Sequence, residues 1–186
     1  MRVISGSARG TKLNSIDDIS TRPTLDRVKE SLFNIINDKI EDSTVLDLFA
    51  GSGAIGIEFL SRGCKKAYMC DKSHLAIKYV IENVKKTKLQ ENAIIKNKDY
   101  AEFLKDLKKS QVKFDIIFLD PPYDLDISKK AVKLILEYEL LNKDGMIIIE
   151  TDEKEREVTN LKDLNVEVYD SRKYGRAYLI FLVERG

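Results

Sequence analysis

Thr44-Val-Leu-Asp47-Leu-Phe49-Ala50-Gly51-Ser52-Gly53-Ala-Ile-Gly56 is the stretch that decides the fold. Residues 44–49 are a short, mostly apolar run, the pattern of a strand covered on both faces. The run leads straight into glycines spaced G-x-G-x-x-G, and residues 55–60 continue as a helix. Strand, glycine loop and helix in this order give a tight turn on which a ligand can approach the backbone. Asp71 ends the next apolar run twenty positions after Gly51, where a carboxylate can accept from ribose hydroxyls. Together these features predict a site for an adenosine-containing cofactor.

Outward from this loop the same alternation repeats. Strands are predicted over 66–70, 92–96, 114–119 and 146–150, and helices over 73–88, 99–109 and 128–141. Two β-rich stretches, 166–169 and 178–183, flank Tyr174-Gly175 near the end of the chain. Regular β-α alternation means an α/β, Rossmann-like sheet, mostly parallel, with helices on both faces. The last two strands, with no helix between them, predict a hairpin and hence an antiparallel edge strand. At the other end, 2–4 and 12–13 are predicted as the strands of a short β-hairpin turning at Gly6 and Gly10. Thr24 is expected to cap the first helix, which carries Val28, Leu32, Ile35 and Ile36 at helical spacing. The expected division is a hairpin extension over 1–20 and one main domain over 21–186.

Composition narrows the class. The 186 residues carry 32 Lys+Arg against 31 Asp+Glu, with 43% hydrophobic and 34% charged residues. That balance fits a folded, soluble chain and excludes nucleic-acid binding by bulk charge alone. Two cysteines and one histidine are too few for the common structural zinc sites, so no metal is expected. The longest apolar runs are strand-sized, and the first ten residues hold no apolar signal core. A cytoplasmic location, a reduced compartment and a monomer are the expectations. Cys64 and Cys70 read as core residues, and His74 as a surface position.

The glycine loop does not name its cofactor by itself. A dinucleotide would set its pyrophosphate at the helix N-terminus, whereas S-adenosylmethionine offers an ammonium, a carboxylate and a sulfonium. Asp47, just before the loop, would attract an ammonium and repel a pyrophosphate, which favours S-adenosylmethionine. The plainer alternative is that Asp47 only holds backbone amides of the turn.

A second motif carries the argument further. The strand over 114–119 delivers Asp120-Pro121-Pro122-Tyr123 at its carboxyl end, where ligands bind in open α/β sheets. Two prolines fix the backbone and remove two donors, leaving a rigid loop of acceptors. The Asp120 carboxylate and the Pro121 carbonyl can take the two hydrogens of a planar NH2 group while Tyr123 stacks on its ring. Such an amide or base amine is a weak nucleophile, and alignment with an electrophilic methyl makes its attack feasible. Asp99 reads both as part of an Asp99-x-x-Glu102 capping box and as an acceptor for the cofactor's adenine amine.

The two motifs together resemble the class I S-adenosylmethionine-dependent methyltransferases that modify amines with a D/N-P-P-Y/F loop. Within them, the chain is similar to the RsmD family of bacterial 16S rRNA (guanine-N2)-methyltransferases. Three blocks carry the resemblance: Arg2-Val-Ile-Ser-Gly6-Ser-Ala-Arg9-Gly10-Thr-Lys-Leu13, then Arg22-Pro23-Thr24-Leu-Asp26-Arg27-Val-Lys-Glu30-Ser-Leu32-Phe33-Asn34, then 47–58 around the glycine loop. The resemblance implies a seven-stranded sheet with a reversed final strand, and a methyltransferase domain over 21–186. It implies methylation of one guanine N2 in small-subunit rRNA; the near-neutral charge adds the expectation of a substrate shaped by ribosomal proteins, a partly assembled 30S particle. It maps the S-adenosylmethionine pocket onto Asp47, Phe49, Gly51, Gly53, Asp71 and Asp99, and the target-amine loop onto Asp120, Pro121, Pro122 and Tyr123. Ala177 departs from the threonine of many relatives.

Arg2, Arg9, Lys12, Arg22 and Arg27 then read as a small phosphate-contacting patch, although Asp17, Asp18 and Asp26 partly offset them. Rival readings are an adenine-N6 DNA methyltransferase, for which the chain has no room for a large target-recognition domain, and a glutamine-amide methyltransferase. A cofactor-binding but non-catalytic ribosome-assembly factor is the rival from another class, and an NAD-dependent oxidoreductase is the weakest.

Overall fold

The computed structural model describes residues 1–15, 22–122 and 126–186, with 22–25 in backbone only. In chain order it contains α1 (Arg22–Ile35), β1 (Thr44–Asp47), α2 (Ala54–Ser61), β2 (Lys66–Asp71), α3 (His74–Thr87), β3 (Ala93–Asn97) and α4 (Tyr100–Lys109). β4 (Phe114–Leu119), α5 (Ile127–Glu137), β5 (Leu141–Thr151), α6 (Lys154–Asn160), β6 (Val166–Tyr174) and β7 (Ala177–Glu184) follow. The seven strands form one sheet in the order β3-β2-β1-β4-β5-β7-β6. The first four neighbour pairs are parallel, and β7 is antiparallel to both β5 and β6.

Each face of the sheet is covered by helices. One core joins Val45, Met69, Phe118 and Ile148 to Leu32 and Phe33 of α1, Ile57 and Phe59 of α2, and Val80 and Val84 of α3. The other joins Leu46, Cys70, Ile117 and Ile149 to Phe103, Leu104 and Leu107 of α4 and Ala131, Val132 and Ile135 of α5. Alternation along each strand therefore sorts its residues between two apolar layers, which is why the strands read as near-continuous apolar runs. Both cysteines lie in these cores, as expected, and burial pushes each thiol up to about 12. The exposed His74 opens α3 behind Ser73, whose hydroxyl caps the helix by accepting from the Ala76 N–H at 3.2 Å.

Four expectations need correction. The terminal hairpin forms as predicted and makes the pairing at that edge antiparallel, but the strand that reverses direction lies one place inside the edge. β7 is threaded between β5 and β6, and the edge strand β6 runs in the common direction. The apolar run Leu179–Leu182 is buried throughout and needs sheet neighbours on both sides, whereas β6 exposes much of its length. The N-terminal segment does not form the strands of a β-hairpin: its two arms meet at the isolated bridge of Arg2 with Lys12 and through the amides of Val3, Gly10 and Leu13, which donate to the carbonyls of Thr11, Val3 and Met1. The amides of Ile4 and Ser5 instead donate to the Glu58 carboxylate at 2.8 and 2.9 Å, so they are withdrawn from any ladder. α1 already begins at Arg22, placing Thr24 in its first turn instead of at its cap. Finally, α5 stops at Glu137, β5 starts at Leu141, and the unforeseen α6 forms over Lys154–Asn160.

The N-terminal segment is held by buried charge. Glu58 of α2 is 0% exposed and pairs with Arg62 at 2.8 Å and with the buried Lys29 of α1 at 3.2 Å. Lys29 also donates to the Arg2 carbonyl at 2.6 Å. Ser61 accepts from the Ala8 N–H and donates to the Ser5 carbonyl. Gly6 sits so close to this helix end that a Cβ would lie 1.8 Å from the Ser61 carbonyl oxygen. Val3, Ala8 and Leu13 thereby join the main core.

Candidate active site

β1 and β4 are adjacent and parallel, so their carboxyl ends open on the same side of the sheet. Asp47 pairs in register with Met69 of β2 and Phe118 of β4, and Phe118 with Ile148 of β5. Those three partners belong to the α1–α3 side of the core. Asp71, Asp120 and Glu150 each follow one of them by two positions, so the alternation of the strands brings all four acids to the same face. The electrostatics agree: Asp120 and Asp71 both act on Asp47, and Asp120 acts on Glu150.

The glycine loop is built from backbone bonds that these acids complete. The Ala50 N–H donates to the Cys70 carbonyl at 2.8 Å, and the Gly53 N–H to the Ala50 carbonyl at 2.7 Å. Gly53 adopts φ 79°, and a Cβ there would press on Val80 at 3.2 Å, so both backbone and packing require glycine. Asp71 accepts from the Gly51 N–H at 2.9 Å and from the Ser73 N–H at 2.8 Å. Asp47, 2% exposed, accepts from the Gly56 N–H at 3.1 Å through Oδ2. The plainer role foreseen for Asp47 is therefore real, and it uses one of its two oxygens.

Burial pushes the Asp47 carboxyl from the ordinary 3.8 up to about 7, with Asp120 and Asp71 adding to the rise against the Gly56 bond. Asp120 and Glu150 are raised as well, chiefly because the surrounding strand ends desolvate them, and Asp120 raises Glu150 further. Asp120 nevertheless keeps an exposed surface: it is ringed by protein atoms yet open to solvent on one side. Among the described residues, no lysine or arginine forms an ion pair with any of the four acids. No group of side chains among them is arranged to hold a metal ion.

The other predicted residues fall into place around this centre. Phe49 stacks against Tyr100 with ring centroids 5.5 Å apart, beside the loop. Asp99 caps α4 by accepting from the Ala101 N–H at 2.9 Å, which leaves its second oxygen available. Pro121 and Pro122 follow Asp120 directly, and Tyr123 lies outside the described residues. Arg2, Arg9, Lys12 and Arg27 are exposed, and the Arg22 side chain lies outside the described residues. Arg2 and Arg9 share a recess of about 230 Å³ with Asp26 and Glu30, so the local field there is mixed in sign. Sequence reading did not single out Glu150 as a site residue. The signal was available, since an acid ending the run Met146-Ile-Ile-Ile149 sits level with Asp120 once β4 and β5 are neighbours.

The site has the features that S-adenosylmethionine needs. Space lies open for 4 Å around the Cβ position of Gly51, and no side chain caps the start of α2. Three carboxylates with free lone pairs, on Asp47, Asp71 and Asp99, suit an ammonium, ribose hydroxyls and an aromatic amine.

The family described as conserved hypothetical protein 95 matches residues 1–183. The chain belongs to this family. It is 44% identical over 152 residues to the Bacillus subtilis protein YlbH, which is provisionally named an rRNA methyltransferase; the match covers 82% of this chain and 83% of YlbH. It is 36% identical over 160 residues to the ribosomal RNA small subunit methyltransferase D of Haemophilus influenzae, covering 86% and 82% of the two chains. Among solved structures, the Escherichia coli protein yhhF, provisionally named a methyltransferase, superposes with a TM-score of 0.82 at 27% identity over 100% of this chain and 98% of that one. The same fold extends to a more distant protein, provisionally named a methyltransferase and solved with SAH, at a TM-score of 0.66 and 19% identity, covering 84% of this chain and 48% of that one. The seven-stranded sheet with its reversed β7 is the class I methyltransferase fold. No helix among the described residues is long and apolar enough to cross a membrane.

Proposed function

We propose that this S-adenosylmethionine-dependent methyltransferase methylates the exocyclic N2 amine of a guanine in small-subunit rRNA, presented in a partly assembled particle. The observation that carries the reading is Asp120 directly after β4, near enough to Asp47 to act on its charge, with Pro121 following it. The likeness to the Haemophilus influenzae small-subunit enzyme over most of both chains supports rRNA as the substrate.

Asp47, Asp71, Asp99 and the backbone of Gly51 and Gly53 would hold the cofactor, which when bound supplies an electrophilic methyl on a sulfonium. The chain's own task is to present the nucleophile. A guanine reaches such a pocket only when turned out of its stack, and Tyr123 is proposed to receive its flat face. Asp120 and the Pro121 carbonyl each accept one amine hydrogen, which fixes the plane of the NH2 group and turns its nitrogen towards the cofactor. A guanine N2 hardly binds a proton, so Asp120 need not remove one beforehand. It accepts a hydrogen bond first and takes the proton as the new N–C bond forms. The raised carboxyl of Asp120 suits a group that must end the step protonated. The basic residues Arg2, Arg9, Lys12, Arg22 and Arg27 are proposed to meet phosphates around the target, with near-neutral overall charge favouring a substrate shaped by ribosomal proteins.

The test is labelled-methyl transfer to naked rRNA, assembled small subunits, DNA and free protein, followed by nucleoside analysis. N2-methylguanosine from small subunits is the expected product. N6-methyladenosine in DNA, or label in protein, overturns the reading.

A further inference from the structure

We propose that Glu150 selects guanine: its carboxylate accepts the N1–H of the target base while Asp120 and the Pro121 carbonyl hold the N2 amine. This rests on the guanine-N2 reading above and adds the group that tells guanine from other bases.

The register carries the placement. Phe118 pairs with Ile148 and Leu119 with Ile149 across the parallel β4/β5 pair. Asp120 directly follows the last residue of β4, one position past this pairing, which sets it level with Glu150 across strands roughly 4.8 Å apart, and its charge acts on Glu150. Both continue the alternation of Phe118 and Ile148, so both carboxylates rise on the face that holds the glycine loop. On its other side Glu150 pairs with Leu179 of β7, an apolar neighbour that offers no hydrogen. Among the described residues, no donor and no cation engages the Glu150 carboxylate, and the charge that acts on it is that of Asp120.

Two carboxylates side by side, with no hydrogen supplied by another described residue, form a row of acceptors once both are ionised. The edge of guanine is the matching row of donors, with N1–H directly beside the two hydrogens on N2. Adenine sets a lone pair on N1 beside its N6 amine, which a neighbouring carboxylate repels. Asp120 alone, with Pro121, recognises an NH2 group on any base, so the second carboxylate is what makes the difference. A buried acceptor built for a substrate N–H discriminates strongly against an analogue that lacks it, because the acceptor is then left unmade.

The deciding probe is 2-aminopurine, which keeps the N2 amine and lacks the N1 hydrogen. Small subunits are reconstituted with guanine or 2-aminopurine at the position that the wild-type protein methylates, and kcat/KM is measured for both. The wild type is expected to favour guanine by about 100-fold or more. Glu150→Ala is expected to lose most of its guanine activity and to discriminate by less than about tenfold. Glu150→Gln, whose amide both accepts from N1–H and donates to a bare N1, is expected to keep guanine and to admit 2-aminopurine. S-adenosylmethionine affinity by equilibrium dialysis should be unchanged in both variants, which separates a lost base contact from a disturbed fold. Equal use of the two bases by the wild type, or unchanged discrimination in Glu150→Gln, overturns the role of Glu150 while the guanine-N2 reading stands. Absence of N2-methylguanosine from the wild-type reaction overturns both.

Discussion

Glu58 and Asp47 are two carboxylates buried on the same side of one sheet, and the chain treats them in opposite ways. Glu58, at 0% exposure, meets Lys29, Arg62 and the amides of Ile4 and Ser5. Asp47, at 2%, meets one amide, that of Gly56, and two further acids act on it. The first carboxylate is compensated within the chain, and its product is an anchored N-terminal segment. The second meets no cation among the described residues, and its burial appears as a carboxyl pushed up to about 7. Buried charge that is fully paired builds structure, whereas buried charge left unpaired marks where a ligand's positive group fits.

That contrast can be broken most forcefully at Glu58. Glu58→Ala leaves the buried Lys29 without its partner and frees two amides, and it should lower stability by about 3–5 kcal/mol in urea denaturation. Amide exchange should rise first at Ile4 and Ser5. A loss under about 1 kcal/mol would mean that the network merely decorates the apolar contacts of Val3, Ala8 and Leu13. At the other centre, Asp120→Ala should cut kcat by about 100-fold to 1000-fold while the S-adenosylmethionine Kd and the denaturation midpoint hold. A loss of cofactor affinity alongside activity would make Asp120 a structural residue.

The smallest effects belong to Asp47, and their sign is distinctive. Its folded carboxyl lies near 7 against an ordinary 3.8, so between those values the folded chain holds a proton that the unfolded chain has released. Stability of the ligand-free protein should therefore fall as pH rises from about 4 to about 7, and the raised carboxyls of Asp120 and Glu150 add falls of the same sign that reach to about 8. Asp47→Asn keeps an oxygen for the Gly56 amide, should lessen that fall while leaving the share due to Asp120 and Glu150, and should stabilise the protein at about pH 8 by roughly 1–4 kcal/mol. Cofactor affinity should move the opposite way, weakening about tenfold per pH unit below 7 in the wild type and losing this dependence in Asp47→Asn. A wild-type affinity that is flat across neutral pH would detach Asp47 from the ammonium.

The regular part of the sheet was legible because its period is local. Apolar runs such as Phe114-Asp-Ile-Ile-Phe-Leu119 state their own strand, and the glycine spacing states its own turn. What escaped depends on partners far away in the chain. The segment around Gly6 and Gly10 has the turns of a hairpin, but Ile4 and Ser5 give their amides to a carboxylate 54 and 53 positions away, and no local pattern carries that. Helix α6, Lys-Glu-Arg-Glu-Val-Thr-Asn, has too little apolar periodicity to announce itself and forms where Val158 and Leu161 reach the second core. Glu150 was hidden for a related reason: an acid at a strand end gains meaning only when β4 is known to lie beside β5. The position of β7 was half visible, since its continuous apolar run already argued against an edge.

That insertion of β7 also sets an order for assembly during synthesis. Strand β6 has β7 as its one neighbour in the sheet, and β5 depends on β7 to cover its outer edge. A nascent chain that has emerged only as far as Tyr174 therefore carries an open β5 edge and a β6 with nothing to pair with, the kind of surface that recruits chaperones or other chains. When Ala177–Glu184 arrives it turns back at Gly175-Arg176, pairs with β6 as a hairpin and covers the open edge of β5. The step that fills the place between β5 and β6 is thus also the one that removes these two open edges.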